Sequence, residues 1–171
     1  MTSTSALLVD GFGRVHETVH GVLKGLPPEA LTFRPDEEAN PIGWLVWHLT
    51  RVQDDHVAEV AGAEQRWTEE GWDARFALPF ERLATGYGQS AADAGAVAVG
   101  APLLLGYHDA VHAATVAYVR ELVDADLDRV VDTRWDPHVT LGVRLVSVLA
   151  DGLQHAGQAA YVRGIFERRA G

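Results

Sequence analysis

The stretch from Leu141 to Phe166 constrains the fold more than any other part of the chain. Its apolar positions recur at steps of four and three, the spacing of one buried face of a helix: Leu141, Leu145, Val148, Gly152, His155, Ala159, Val162 and Phe166. Asp151 lies one turn before His155, so a carboxylate and an imidazole share the edge of this face. Burying either group costs free energy unless a partner satisfies it, and a divalent metal is one such partner.

Composition limits the classes of protein to be considered. A length of 171 residues predicts one domain covering residues 1–171, and 47% hydrophobic with 22% charged residues is typical of a soluble globular chain. The net charge of −10 repels phosphate backbones and anionic lipid, so we expect neither nucleic acid nor a membrane as partner. No signal peptide or spanning segment is apparent in the sequence, and a cytoplasmic protein is expected.

Three more amphipathic helices are predicted before the last one. The first runs from about Ser5 to Lys24, the second from Asn40 to about Ala61, and the third from about Pro102 to Val123. Asn40 is predicted to cap the second helix, with Pro41 in its first turn, and Thr140 to cap the fourth. Without a convincing strand, these helices predict an all-α bundle.

The helical pattern lapses between residues 62 and 100, where aromatic residues alternate with glycine and proline. Such a long irregular segment in a compact domain predicts a functional loop or lid. Within it, Ser90 is predicted to cap a short helix over Ala91–Val99. The aromatic residues would cover an apolar surface and support a homodimer.

His48 extends the candidate site to the second helix, where it flanks the apolar stripe, with Asp55 on nearly the same side. Together with Asp151 and His155 it offers two nitrogens and one oxygen, a set that leaves coordination positions free on a transition metal. The spacing alone fits equally well a buried neutral His155 that is hydrogen-bonded to Asp151 or to a carbonyl.

The remaining histidines give weaker signals, because eight histidines produce pairs by chance. Two pairs have the four-residue spacing of two metal ligands: His16 with His20, and His108 with His112. Both pairs lie beside their apolar stripes, which favours partly solvated flanks. His56 is expected to have a surface role rather than a supporting role in the site, and His138 is expected to be exposed.

Two phrases resemble the DinB superfamily: NPIGWLVWHLTRVQDDH in the second helix and LADGLQHAGQAAYVRG in the fourth. The resemblance extends over nearly the whole chain, including GYG at Gly86–Gly88 and DADLDRVVD before the last helix. It is to DinB-like, DUF664-type four-helix proteins related to mycothiol-dependent maleylpyruvate isomerase and bacterial thiol S-transferases. The resemblance implies a DinB-like four-helix bundle with a long connection between helices two and three.

In that superfamily one histidine of the second helix and a His/His or Glu/His pair on the last helix hold a metal. Carried over, the resemblance implies His48, Asp151 and His155 as ligands, with zinc as the expected ion and nickel or iron as alternatives. Asp151 departs from the pattern, because a shorter carboxylate must bring its backbone closer or bind through water. The loss of one imidazole also weakens nitrogen-preferring metals.

The resemblance further implies a thiol-dependent S-transferase or isomerase, in which the metal activates a small-molecule thiol such as mycothiol toward an electrophilic substrate. The chain has no cysteine, so any sulfur must come from a small molecule. Gln158 would contact the ligand or orient the site and Arg163 would pair with an anionic group, against structural surface roles for both. The alternatives are a non-catalytic metal- or ligand-binding stress or sensor protein, and a purely structural dimeric bundle.

Overall fold

A computed structural model describes residues 3–170. Its elements in chain order are α1 (Thr4–Leu23), α2 (Pro28–Thr32), α3 (Ile42–Ala61), α4 (Arg66–Glu69), α5 (Trp72–Phe76), α6 (Ala91–Gly95), α7 (Ala101–Glu121), a 3-10 helix (Asp124–Asp128), β1 (Val130–Asp132), β2 (Val139–Thr140) and α8 (Leu141–Ala170). The long helices α1, α3, α7 and α8 form the bundle, so the predicted all-α four-helix architecture is confirmed.

The packing of the long helices follows from their apolar stripes. Helix α1 packs against α7 and α8, and α3 packs against the same two helices. The order around the bundle is therefore α1, α7, α3, α8, with the α1/α7 pair opposite the α3/α8 pair. Phe12 and Val15 of α1 and Leu141 and Leu145 of α8 are almost completely buried, as their spacing predicts. No helix within residues 3–170 is long and apolar enough to cross a membrane.

The ends of the helices refine the prediction. Ser3 caps α1 by accepting a hydrogen bond from the Ala6 amide, and Thr140 accepts one from the Val143 amide at the start of α8. The prediction that Asn40 caps the second helix is wrong. Pro41 occupies the N-cap position in an extended conformation, with ψ 160°, so the helix begins only at Ile42.

The connections hold more regular structure than the sequence predicted. The segment from 62 to 100 contains α4, α5 and α6, and Ser90 caps α6 in a capping box, although that helix ends at Gly95 rather than Val99. The prediction that the chain has no strand was wrong in detail, because β1 and β2 pair as a short antiparallel ribbon before α8.

Three aromatic residues of this long segment, unlike the 93% exposed Tyr87, belong to the core of their own chain. Trp67, Trp72 and Phe76 are each at most 8% exposed, and their rings pack around Tyr107 of α7. They therefore do not form the exposed apolar surface that motivated the homodimer, which stays a prediction without that support.

Candidate metal centre

The neighbouring helices α3 and α8 bring His48, Asp151 and His155 together. One ligand atom from each lies within 4.8 Å of the other two. The His155 Nε2 atom is 3.5 Å from Oδ1 of Asp151, and the ring centroids of His48 and His155 are 4.7 Å apart. His48 is only 6% exposed, whereas the other two side chains are half-buried. The three side chains thus meet at the edge of the bundle, within reach of solvent.

His48 is oriented by a backbone carbonyl. Its Nδ1 atom lies 2.5 Å from the Thr85 carbonyl oxygen. A carbonyl oxygen can only accept, so Nδ1 carries the proton and Nε2 carries the lone pair. The Trp44 ring stacks on the imidazole with centroids 4.5 Å apart. Burial lowers the pKa of His48, which keeps the ring neutral and its Nε2 able to bind a metal.

His155 is oriented by its own helix. Its Nδ1 atom donates to Oε1 of Gln158 at 2.7 Å, which leaves Nε2 on the side of Asp151. The hydrogen bond to Asp151 is the main cause that raises the pKa of His155, and Gln158 contributes in the same direction. A metal-binding histidine typically donates its second ring N–H to a carbonyl or carboxylate in this way. Both imidazoles therefore have the orientation that a metal ligand requires.

Asp151 supplies the observation that best fits a metal. Its Oδ2 atom is buried and has no hydrogen-bond partner among residues 3–170. An unsatisfied buried carboxylate oxygen costs free energy of about 1–3 kcal/mol or more. Two imidazole nitrogens beside this carboxylate form a donor set that divalent transition metals prefer, so the residues present fit such an ion.

A run of four consecutive backbone carbonyls lines α3 beside the site. Trp67 Nε1 donates to the Arg82 carbonyl, and the fully buried guanidinium of Arg51 donates to the carbonyls of Leu83 and Ala84. His48 donates to the next carbonyl, that of Thr85. Buried donors on α3 and α4 thus fix the course of this segment, and the segment in turn fixes His48.

Gly86 closes the site over His48. Its φ is +98°, and a Cβ atom built there would lie 2.6 Å from Nδ1 of His48 and 3.1 Å from the rings of Trp44 and Trp47. Only glycine combines this backbone conformation with so close an approach. The sequence showed the GYG phrase but not its contact with His48. The Thr85 carbonyl left no signal at all, because every residue has a carbonyl.

Two predicted supporting residues are placed elsewhere. Asp55 accepts a hydrogen bond from Gln65 at 2.7 Å and makes none to the three candidate ligands within the described residues. Arg163 was predicted to pair with an anionic group of a ligand, but its guanidinium is occupied by other partners. Its guanidinium donates to carbonyls at the end of α1, those of Gly21, Val22 and Lys24. A cation placed there complements the partial negative charge of the helix end, so Arg163 ties α8 to α1.

Two clefts lie beside the site, one lined by the candidate ligand Asp151 and the other by Gln158, which orients His155. One, of about 380 Å³, is lined by Asp151 together with Val148, Trp135 and Arg144. The other, of about 520 Å³, is lined by Gln158 with Leu45 and Tyr161. His56 borders the first cleft, where its Nδ1 accepts from Arg144 at 2.9 Å. The side chains that orient the site are thus also the ones a ligand in either cleft would meet.

The prediction of partly solvated flanks for the other two histidine pairs is right for His16 and His20 and wrong for His108. Helices α1 and α7 bring them together around Asp109, and His108 is fully buried. Burial lowers the pKa of His108 to about 3 and that of His112 to about 4, so both rings are neutral at pH 7. His138 is exposed in the connector, as predicted.

Comparison with known proteins bears on the origin of this arrangement. The family model described as the DinB superfamily matches residues 12–159. The chain belongs to the DinB superfamily. This DinB chain is 28% identical to a solved structure titled as that of the conserved protein of locus from Enterococcus faecalis, with a TM-score of 0.89 over 95% of this chain and 96% of that one. A comparison with curated proteins finds no match.

The close approach of Gly86 to His48 predicts that Gly86→Ala destabilises the folded protein. Backbone strain and the displaced imidazole should together lower the free energy of unfolding by about 3 kcal/mol. Gly88→Ala is the matched control. Gly88 also has positive φ, +72°, but a Cβ there meets nothing within 4 Å among residues 3–170, so only about 1–2 kcal/mol should be lost. Urea unfolding of both variants of this DinB protein measures the difference, and equal losses would contradict the contact.

Opposite pKa shifts are predicted for the two histidines in metal-free protein, because the hydrogen bond to Asp151 raises the pKa of His155 and burial lowers that of His48. NMR titration should give His155 a pKa above its ordinary 6.5 and His48 one below it. Because the pKa of His155 is raised, the pair stabilises the fold below about pH 6.5, and this contribution is lost as pH rises through the raised pKa. Asp151→Asn should lower the pKa of His155, whereas Asp55→Asn should leave it unchanged. An unchanged pKa of His155 in the Asp151→Asn variant would refute the pairing.

Proposed function

We propose that this DinB-superfamily protein is a divalent-metal-dependent thiol S-transferase or isomerase whose ion is held by His48, Asp151 and His155. The observation that carries the proposal is the meeting of His48 and His155, each held through its Nδ1 atom, with a carboxylate whose second oxygen is buried and unpartnered within residues 3–170. Two imidazoles and one carboxylate suit zinc, with nickel or iron as alternatives, and leave positions for a substrate.

When bound, such an ion supplies a Lewis acid that stabilises the thiolate of a low-molecular-weight thiol, such as mycothiol, near neutral pH. The thiol is a cosubstrate because the chain has no cysteine of its own. In the proposed transfer the S–H bond breaks and its proton passes to water. The sulfur lone pair then forms a bond to an electrophilic carbon, and the leaving group departs with its electron pair. In an isomerisation the sulfur adds to a double bond and is expelled after rotation, as the proton returns to it.

The two clefts support a reaction with two substrates. The cleft at Asp151 offers an apolar wall from Val148 and Trp135 beside the guanidinium of Arg144. The cleft at Gln158 offers Leu45 and Tyr161 beside acidic side chains of the connector after α2, Asp36 and Glu38. We assign the thiol to one cleft and the electrophile to the other, at the two ends of the Asp151–Gln158 stretch of α8.

The proposal predicts how zinc affinity and turnover respond to substitution. His48→Ala and His155→Ala should each lower zinc affinity by more than about 100-fold, and Gln158→Leu by about 10–100-fold, because Gln158 orients a ligand without being one. Gln154→Leu and His138→Ala are matched controls on exposed positions and should leave zinc affinity unchanged. Zinc is measured by elemental analysis and competition with a chelator after the purified protein is stripped and reloaded.

Turnover is followed as formation of a fluorescent thioether from monochlorobimane and a panel of small thiols that includes mycothiol. The zinc-loaded protein should accelerate the reaction, and the losses in turnover should follow the losses in zinc. Tight zinc binding without turnover for any thiol would support the non-catalytic metal-binding alternative. Wild-type protein that binds no divalent metal would contradict the proposal as a whole.

A further inference from the structure

A second cluster of metal-ligating side chains lies between α1 and α7. The Nε2 atoms of His16 and His20 lie 2.8 and 2.6 Å from the same oxygen, Oδ1 of Asp109. The ligand atoms of all three residues lie within 4.8 Å of one another. A single carboxylate oxygen thus faces two imidazoles from the neighbouring helix, in the spacing of a three-ligand site.

Two more imidazoles lie behind this group. The His112 ring stacks on His16 with centroids 4.2 Å apart, and the His108 ring lies 5.6 Å from His16. Nδ1 of His112 and Nε2 of His108 are buried without a hydrogen-bond partner in the part of the chain that the structure describes, residues 3–170. Each unsatisfied buried nitrogen costs free energy, so the cluster holds more imidazole than hydrogen bonds within residues 3–170 satisfy.

The protonation of His108 follows from Thr50. The Thr50 hydroxyl donates its hydrogen to the Val46 carbonyl at 2.7 Å, so toward His108 it can only accept. Nδ1 of His108 therefore carries the proton, and the unpartnered Nε2 has a free lone pair. His108 is 0% exposed, so this lone pair lies inside the bundle, on the side of the ring away from Thr50. This nitrogen is therefore a buried hydrogen-bond acceptor that no donor reaches within residues 3–170.

We propose that His16, His20 and Asp109 form a second binding site for a divalent transition metal, with the imidazoles of His108 and His112 behind it. A set dominated by imidazole with one carboxylate suits zinc, nickel or copper rather than magnesium or calcium, which prefer oxygen ligands. Two ligand atoms at the usual distance from one ion lie roughly 2.9–3.4 Å apart. The present distances of 2.6 and 2.8 Å need to open only slightly, and the side chains of His20 and Asp109 are 42% and 48% exposed and free to do so.

The second site is separate from the first. It joins α1 to α7, whereas His48, Asp151 and His155 join α3 to α8 on the opposite side of the bundle. An ion there would cross-link two helices that are distant in sequence and stabilise the folded state by binding only to it. The inference does not rest on the proposed thiol chemistry, and the two can fail independently.

The test uses the full chain with His48→Ala and His155→Ala, so that the first site is disabled, and zinc alone as the probe. This background should bind one zinc per chain. Adding His20→Ala should lower the zinc affinity by more than about 100-fold and Asp109→Asn by more than about tenfold. Asp10→Asn, on an exposed carboxylate of α1, is the matched control and should have no effect. Zinc at about 100 times its Kd should raise the Tm of the background by on the order of 5 °C and leave the His20→Ala variant unchanged.

Each outcome separates the two sites. Zinc retained in the background but lost with His20→Ala supports the second site, even if the first site never binds metal. A background that binds no zinc and shows no rise in Tm overturns the second site, even where wild-type protein binds one zinc through His48 and His155. Because His20 and Asp109 are half-exposed, their replacement opens no cavity, and circular dichroism of each variant verifies that it is folded.

Discussion

The bundle depends on a set of buried hydrogen bonds between side-chain donors of α3 and α4 and the backbone carbonyls of residues 82–85. Arg51 is fully buried, and a buried cation is tolerated only when its donors are paired. Two of these carbonyls, the hydroxyl of Tyr107 and the carboxylate of Asp54 surround it. The same stretch of backbone then presents the Thr85 carbonyl to His48. The segment whose carbonyls satisfy the buried Arg51 is therefore also the segment that selects the tautomer of His48.

The two polar clusters are satisfied in different ways. At the α3/α8 site each imidazole is held through Nδ1 by a group outside the trio, Thr85 or Gln158, and Nε2 of His155 faces Asp151. Between α1 and α7, His16 and His20 instead share one carboxylate oxygen. The first arrangement is preorganised for an ion, whereas the second must open its own hydrogen bonds to admit one. This difference is the physical basis for assigning chemistry to the first and a structural role to the second.

Helical periodicity was enough to predict the four long helices and to place His48, Asp151 and His155 on facing helices. The resemblance to the DinB superfamily was needed to favour these three residues as one metal site over a buried, neutral His155. Periodicity could not show that His108 is buried, since its position beside a stripe is resolved only when α3 supplies Thr50 as a partner. The contact of Arg163 with the end of α1 and the contact of His48 with Thr85 both use backbone carbonyls. Every residue offers that group, so no pattern in the sequence marks it. The assignment of Asn40 as a cap failed because Pro41 took the N-cap position itself.

Anomalous diffraction at the zinc edge, from crystals of the zinc-loaded wild-type protein, tests the central claim most directly. The preorganised arrangement predicts a peak about 2.0–2.2 Å from Nε2 of His48, Nε2 of His155 and a carboxylate oxygen of Asp151, with the Thr85 and Gln158 hydrogen bonds retained. A zinc ion bound through Nδ1 of either histidine, or saturating zinc that leaves all three side chains without a peak between them, would contradict it.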